Sequence, residues 1–306
     1  MRIAVLLASL SFALSSVALA SPYGAARGQN APTMDVEEEY QADDGSVVTR
    51  TVQKAAPADS YGNAAGNQYD LVVDGAFDGQ TVAVLHFYTM ENFDFSLPKA
   101  ALAEKGFNTV RWVNKPPSPE KLKEGLAKAN QLWIISDSGT HLTDAHLDVI
   151  EAYFESGHGV YIWGDNQPYY ADANAVAERL FDGGMDGNLP GTVTVTLRNG
   201  ALDQPGLTVG HDITTGLEHL YEGITIATIR PNEMLSPLVV GSAGNLVTAV
   251  YDHDGKRAVL DGGFTRLYIN WDTAGTARYV KNAASWLANY ERFGDDILAA
   301  NRKDKR

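Results

Sequence analysis

The feature that most constrains the fold is a regular alternation of strand-like and helix-like stretches between residues 81 and 181. Apolar runs typical of buried strands lie at 81–87, 108–113, 132–136 and 160–163. Each is followed by a helical pattern, at 96–105, 116–128, 143–155 and 172–181. Four consecutive β-then-α units predict a parallel sheet with helices on both faces. The carboxyl ends of its strands then share one edge, where ligands bind in open α/β sheets.

In the second half of the chain, short strand-like stretches replace the alternation of strands and helices, which predicts extra strands. A glycine-rich loop at 183–191 precedes strand-like stretches at 193–197, 223–229, 237–240, 246–252 and 257–261. Asp252, His253, Asp254 and Gly255 form a predicted hairpin turn, because these residue types tolerate the backbone of tight turns. A last helix is expected over 273–290. We therefore predict one α/β domain over residues 69–293, with additional strands in its C-terminal half.

The first twenty residues have the pattern of a secretory signal peptide. Arg2 precedes an apolar stretch, and Ala18, Leu19 and Ala20 make a small-x-small cleavage site. We predict a signal peptide at 1–20 and a periplasmic or secreted protein, with no transmembrane anchor after cleavage. The apolar stretch is short for a membrane span, which needs about 20 apolar residues.

Two flanking segments lack the composition of a packed domain. Residues 21–68 are rich in small and polar residues and include the acidic run 37–39. Because such a segment buries little apolar surface, we predict a mostly disordered linker, with 46–52 able to pair as an edge strand. Residues 294–306 end in five charged residues and are predicted to be a charged tail.

Composition excludes several classes of protein. The chain has no cysteine, which removes thiol catalysis, disulfide frameworks and cysteine-ligated metal centres. Lys and Arg number 24 against 38 Asp and Glu, a net charge of −14. Nucleic acids and anionic membranes require clustered cations, so neither is expected as a partner. We expect no cofactor and no metal: His141 and His146 are five residues apart, whereas a metal pair on one helix face needs a spacing of three or four. We interpret them as surface or capping residues.

Three segments resemble one known superfamily. They are 132–166, with a strand, a glycine-containing loop, a helix, a strand and a sharp turn; 211–217 (HDITTGL); and 261–266 (DGGFTR). In this order they resemble the class I glutamine amidotransferase-like superfamily, including its trehalose-utilisation (ThuA-like) branch, in which the second segment commonly reads H-P-I-T-x-G-L. Asp212 replaces that proline. The resemblance covers about residues 81–290 and implies a three-layer, flavodoxin-like, mostly parallel sheet.

One departure from the family is decisive for its chemistry. In the catalytic members the turn after the fourth strand carries a nucleophilic cysteine, and here Asp165 occupies that position. Glutamine hydrolysis of this kind needs a thiolate with a nearby base. With no cysteine, and no Gly-x-Ser-x-Gly motif to supply a serine instead, amidotransferase activity is excluded.

Polar residues nevertheless follow several predicted strands at the shared edge. His86, Tyr88 and Glu91 follow the first strand. The candidate ligand-binding residues are Ser138, Gly139, Asp165, Asn166, Asp261, Arg266 and Trp271. They favour a non-catalytic pocket for a small polar ligand, with Trp163, Tyr169 and Trp271 supplying flat faces to a molecule such as a sugar.

Three alternatives stay open at this point. Asp165 could work with Asp137 or His211 in a periplasmic hydrolase of carbohydrate-related substrates, because close carboxylates can divide into an acid and a base. The same residues could be structural, since Asp and Asn stabilise turns and Arg266 can pair with Asp261 or Asp272. Finally, the domain could bind an envelope protein, with the acidic linker as its tether.

Overall fold

The computed structural model describes residues 21–89, 93–198 and 204–304. The predicted signal peptide and Glu91 lie outside the described residues. The strands, in chain order, are β1 (Thr33–Gln41), β2 (Val47–Ala55), β3 (Thr81–His86), β4 (Asn108–Val113), β5 (Gln131–Ile135), β6 (Gly159–Trp163), β7 (Met185–Pro190), β8 (Thr194–Thr196), β9 (Gly206–Leu207), β10 (His219–Tyr221), β11 (Thr225–Ile229), β12 (Ser236–Val240), β13 (Leu246–His253) and β14 (Lys256–Asp261). The helices are α1 (Ser96–Glu104), α2 (Pro119–Leu126), α3 (Asp144–Glu155), α4 (Ala171–Phe181), α5 (Thr276–Leu287) and α6 (Tyr290–Asp304).

The central element is an eight-stranded sheet with the order β4-β3-β5-β6-β14-β13-β12-β9. The first five strands in this order, β4, β3, β5, β6 and β14, are parallel to one another. β13, β12 and β9 extend the sheet with antiparallel pairing. In chain order the parallel strands follow the 2-1-3-4-5 pattern of flavodoxin-like folds. The predicted fold class is therefore confirmed, including the extra strands in the C-terminal half.

Both faces of the sheet are covered, which explains the continuous apolar strand sequences. Along β3, Val82 and Val84 point into a core shared with α1 and α5, whereas Ala83 and Leu85 point into a core shared with α2, α3 and α4. All four side chains are fully buried. A parallel sheet covered on both sides requires apolar residues at successive positions, because side chains alternate between the two faces.

The register aligns the carboxyl ends of the parallel strands in one row. His86 pairs with Ile135, Ile135 pairs with Trp163, and Trp163 pairs with Asp261. The loops after β3, β5, β6 and β14 consequently leave the sheet side by side.

Residues 21–68 differ from the prediction of a mostly disordered linker. β1 and β2 form an antiparallel hairpin paired from Thr33↔Ala55 to Gln41↔Val47, which includes the stretch predicted to form an edge strand. Asn30 anchors the preceding segment: its Nδ2 donates to the carbonyl oxygens of Thr214 and Leu217. The hairpin satisfies its own backbone groups, and buried asparagine side chains hold the segment to the domain, so little apolar burial is needed.

The C-terminal segment also differs from the predicted charged tail. α6 extends to Asp304, Ile297 is buried, and Asn301 Nδ2 donates to the Ala76 carbonyl oxygen at 2.9 Å. Tyr290 and Phe293 also pack against the core, and Glu291 pairs with Arg27 and Arg257. Apolar contacts and ion pairs together hold this charged helix on the domain. None of the described helices has the length and apolarity of a membrane-spanning segment.

Candidate functional site

Asp165 lies two residues beyond the end of β6, on a tight turn. Gly164 N–H donates to the Asp261 carbonyl oxygen, and Asp165 N–H donates to the Tyr169 carbonyl oxygen. A Cβ on Gly164 would lie 2.6 Å from the Met185 Sδ and 3.1 Å from the Tyr170 Cβ, so a side chain at this position would have to displace Met185. The glycine therefore lets the turn pack closely against these two residues, with the next residue at the strand ends.

The Asp165 carboxyl is nearly inaccessible to solvent, with 2% of the residue exposed. Its Oδ1 accepts a hydrogen bond from Asn166 N–H at 2.8 Å, and the Thr225 hydroxyl is a further partner. Burial raises the pKa of Asp165 to about 8, against the opposing effect of these hydrogen bonds and of Arg266. At neutral pH the carboxyl is therefore protonated and can donate a hydrogen bond.

Three half-buried tyrosines surround this edge. The Tyr88 and Tyr169 rings meet edge to face with centroids 5.5 Å apart, and the Tyr268 hydroxyl donates to the Tyr88 hydroxyl at 3.3 Å. Burial raises the pKa of Tyr88, and the nearby Asp165 and Asp137 raise it further. The two aspartates predicted to act together therefore both lie within electrostatic range of one tyrosine.

The loop after β5 carries the exposed Ser138 and Gly139. Asp137 Oδ1 accepts from Ser138 N–H at 2.6 Å, which folds the carboxylate back onto the loop. His141 Nδ1 lies 2.8 Å from Asp172 Oδ2, and the fully buried Asp172 also accepts from the His141 and Leu142 N–H groups.

This His141–Asp172 pair was not expected from the sequence, which indicated only a surface or capping role for His141. The ring stacks on Phe87, the first residue after β3, at 4.6 Å. The one available signal was an aspartate in the first turn of α4. His146 does cap α3, because its Nδ1 completes a capping box with Thr143.

Asp261 and Arg266 do not form an accessible ligand site, contrary to the prediction. Both are fully buried, and Arg266 Nη1 lies 2.7 Å from Asp261 Oδ2. Asp261 also accepts from the Tyr279 hydroxyl at 2.7 Å and from Gly263 N–H at 2.9 Å, while Arg266 Nη2 donates to the Glu222 carbonyl oxygen. These contacts fix the glycine turn after β14, as the structural alternative proposed.

His211 lies at the opposite end of the sheet from Asp165, so the proposed pairing of these two residues is wrong. Its Nδ1 accepts from Ile213 N–H, and its ring is 5.4 Å from that of Trp286. The Trp286 carbonyl oxygen in turn accepts from Arg257, which stands at the start of β14. Burial lowers the pKa of His211, in keeping with a neutral ring that caps a turn.

Of the three aromatic side chains predicted to line the pocket, Trp163 and Trp271 do not lie at the strand-end site. Trp163 is fully buried and stacks on Tyr161 at 4.1 Å within the core. Trp271 lines a separate cavity together with Tyr61 and Asp59. Tyr169 alone of the three lies beside Asp165. Across residues 21–89, 93–198 and 204–304, no cluster of three or more His, Asp or Glu side chains is arranged to hold a metal ion.

No family model matches the chain, and no curated protein matches it. Solved structures similar to it include the exo-β-1,4-mannosidase Op5Man5 from Opitutaceae bacterium strain TAV5, with 13% identity over 74% of this chain and a TM-score of 0.34. The chain spans 36% of that mannosidase.

Two further similar structures are themselves covered almost completely by the match. One is described as a GMP synthase component from Thermoplasma acidophilum, with 8% identity, 71% of this chain and 98% of that chain covered, and a TM-score of 0.41. The other is a ThuA-like protein from Parabacteroides merdae ATCC 43184, with 10% identity, 69% and 90% covered, and a TM-score of 0.42. Identities and scores this low do not transfer an activity.

Proposed function

We propose that the chain is an exported, non-catalytic binding protein that holds a small, neutral, hydroxyl-rich ligand at the strand ends. The observation that carries the proposal is the cluster of half-buried Tyr88, Tyr169 and Tyr268 at the strand ends, with the buried Asp165 carboxyl, whose pKa burial raises to about 8, near them. Protonated carboxyl and phenol groups both donate and accept hydrogen bonds, as sugar hydroxyls do. Ser138 and Gly139 form the exposed rim, and Asn166 adjoins Asp165.

The test is a thermal-shift titration of the purified chain with glucose and trehalose at about 10 mM, a concentration that reveals Kd values of about 1 mM. We expect one sugar to raise the Tm of the wild type and of Asp165→Asn, which keeps a neutral donor, but not of Asp165→Ala. Tyr40→Phe, on the exposed hairpin, is the matched control and should behave as wild type. An equal shift in wild type and Asp165→Ala would overturn the proposal, as would the absence of any shift.

A second candidate is a hydrolase of carbohydrate-related substrates with Asp165 as the general acid. It is favoured by the placement of two carboxyl groups within electrostatic range of Tyr88, of which Asp165 is buried with its pKa raised to about 8 and Asp137 is more accessible. Turnover of a chromogenic glycoside that is lost in both Asp165→Asn and Asp137→Asn would select this function over binding alone. Retention of turnover in Asp165→Asn would remove the acid–base assignment.

Export and the partner are part of the proposal. The signal pattern at 1–20 supports secretion, and we expect the recovered protein to begin at Ser21 by mass spectrometry of the extracytoplasmic fraction. An intact N-terminus would contradict export by cleavage. An envelope protein that competes with the sugar for the strand ends would assign the same surface to a protein partner.

A further inference from the structure

The hairpin of β1 and β2 is a two-stranded sheet of its own, and no other strand of the described residues pairs with it. Its residue pairs run from Thr33↔Ala55 to Gln41↔Val47 without a register shift. Both outer edges are therefore long, regular and open to further backbone hydrogen bonds. An isolated two-stranded hairpin is marginally stable in water, and a third strand adds hydrogen bonds and side-chain contacts. The hairpin has the form of an acceptor for one more strand.

One face of the hairpin is apolar and largely exposed. The register brings together on this face the side chains of Met34, Val36, Tyr40, Val48 and Val52. Three of them, Met34, Tyr40 and Val48, are between 38% and 42% exposed. The charges on the same face neutralise one another, because Glu38 pairs with both Lys54 and Arg50. This apolar face offers contacts to the side chains of an added strand.

The other face of β1 carries a carboxylate row, Asp35, Glu37 and Glu39, at alternate positions of the strand. All three are exposed, and the residues opposite them on β2 are neutral: Gln53, Thr51 and Thr49. None of the three has an ion-pair partner among the described residues. Their spacing is about 6.8 Å along the strand, which is also the spacing of Lys or Arg side chains at alternate positions of a neighbouring strand.

The charge of the β1 edge selects among the possible occupants. A two-fold pairing of β1 with β1 of a second copy would place two carboxylate rows side by side, in a chain whose net charge is −14. Pairing of β1 with β2 of another copy would leave both outer edges open again and continue into a fibre. An anionic membrane is repelled by the same carboxylates. A basic strand from a different protein satisfies the open edge and the charge together.

We propose that the outer edge of β1 is a docking site for a different protein, which adds an extended segment of alternating basic and apolar residues as a third strand. Its Lys or Arg side chains lie beside the carboxylate row, and its apolar side chains extend the apolar face. Backbone hydrogen bonds supply affinity in this mode of recognition, and alternate side chains supply selectivity. The docking site shares no residue with the cluster around Asp165.

The experiment is fluorescence anisotropy of a dye-labelled peptide, Lys-Val-Lys-Val-Lys-Val-Lys, with the purified chain in about 150 mM salt, where charges more than about 8 Å apart are largely screened. A peptide of the same composition in two blocks, Lys-Lys-Lys-Lys-Val-Val-Val, is the matched control for general attraction to an acidic protein. We expect a Kd of about 100 μM or lower for the alternating peptide and at least about tenfold weaker binding of the block peptide. Equal affinity for the two peptides would overturn the proposal, as would no binding of the alternating peptide.

Two charge variants locate the site. Glu37→Lys reverses the middle carboxylate of the row, and Asp43→Lys makes the same change of charge in the exposed turn of the hairpin, beyond the end of β1. We expect Glu37→Lys to weaken binding of the alternating peptide at least about tenfold and Asp43→Lys to leave it within about twofold of wild type. Equal losses in the two variants would show attraction to the overall charge alone and would overturn the proposal.

Two further measurements separate the docking site from its alternatives. In sedimentation velocity we expect wild type and Glu37→Lys to have the same oligomeric state, and a wild-type dimer that Glu37→Lys abolishes would assign the edge to a second copy and overturn the proposal. Asp165→Ala should bind the alternating peptide as wild type does, and Glu37→Lys should keep the response to sugar, so failure at the hairpin and failure at the strand ends are distinguishable. Loss of peptide binding in Asp165→Ala with unchanged Tm would refute the location.

Discussion

Asp165 and Asp261 belong to neighbouring strands of the same sheet edge and are both buried, yet their surroundings differ. Asp261 lies 2.7 Å from the Arg266 guanidinium and accepts three further hydrogen bonds, from Gly263 N–H and the Tyr161 and Tyr279 hydroxyls. Asp165 has hydrogen-bond donors but no ion-pair partner among the described residues, and burial raises its pKa to about 8. The comparison indicates what a directly bound cation does at this edge: Asp261 is held in an ion pair that fixes a turn, whereas burial raises the pKa of Asp165, which lacks such a partner.

Arg266→Met removes the cation that pairs with Asp261 and should have the largest effect on stability. Breaking a buried ion pair leaves an uncompensated charge, so we expect a loss of about 3–5 kcal/mol in the free energy of unfolding. Urea denaturation at pH 7 measures it. The double variant Asp261→Asn/Arg266→Met is the control and should recover part of the loss. A cost of Arg266→Met below about 1 kcal/mol would show that the pair does not fix the turn.

Asp165→Asn tests the raised pKa of Asp165 through the pH dependence of stability. The unfolded carboxyl has a pKa of about 3.9, so between about pH 4 and pH 8 the native state retains a proton that the unfolded state has lost. Wild-type stability should therefore fall with rising pH, relative to the variant, by about 1.4 kcal/mol per pH unit in this window. Unfolding free energies at pH 5, 6 and 7 measure the difference. Parallel curves would contradict a raised pKa.

Asp172 adds a third kind of environment, a buried carboxylate held by backbone N–H groups and His141. Asp172→Ala leaves the His141 and Leu142 N–H groups without their acceptor, and we expect a loss of about 1–3 kcal/mol. Chemical denaturation measures the loss, and His141→Ala is the control, because it removes only the side-chain contact and should cost less. Equal losses in the two variants would assign the stabilisation to the ring.

Tyr268→Phe should have the smallest effect. It removes the hydroxyl that donates to Tyr88 at 3.3 Å, for which we expect a loss of about 0.5–1.5 kcal/mol. The same variant should weaken sugar binding at the strand ends if the proposed function holds, whereas Tyr61→Phe should leave sugar binding intact. Sugar binding that is unchanged in Tyr268→Phe would separate the tyrosines from the site.

The central sheet was predictable because a doubly covered parallel sheet imposes apolar runs separated by helical patterns, and these are visible in residues 81–181. The hairpin at 33–55 was not, because its strands are stabilised by pairing with each other and not by burial. The same limit applies to α6, a charged helix held by a few apolar side chains, Tyr290, Phe293 and Ile297, and by the ion pairs of Glu291, because a few apolar residues among charged ones are typical of a solvated tail.

The strand-end position of Asp165 followed from the order of elements. The pairing of Arg266 with Asp261, Tyr279 and the Glu222 carbonyl depends on a three-dimensional turn that joins distant residues. The placement of His211 depends on how the 211–217 segment crosses to the amino ends of the strands, and spacing along the chain carries no information about that path.

The hairpin begins and ends at one point of the domain, since Ala56 N–H donates to the Pro32 carbonyl oxygen at 2.9 Å and Thr33 faces Ala55. Its side chains are exposed along most of both strands. The chain thus leaves the domain and returns to it at two adjacent positions that are paired with each other. Residues 33–55 can accordingly be exchanged for a short turn, or for an affinity tag or fluorophore-bearing loop, without altering the distance that the flanking backbone must span.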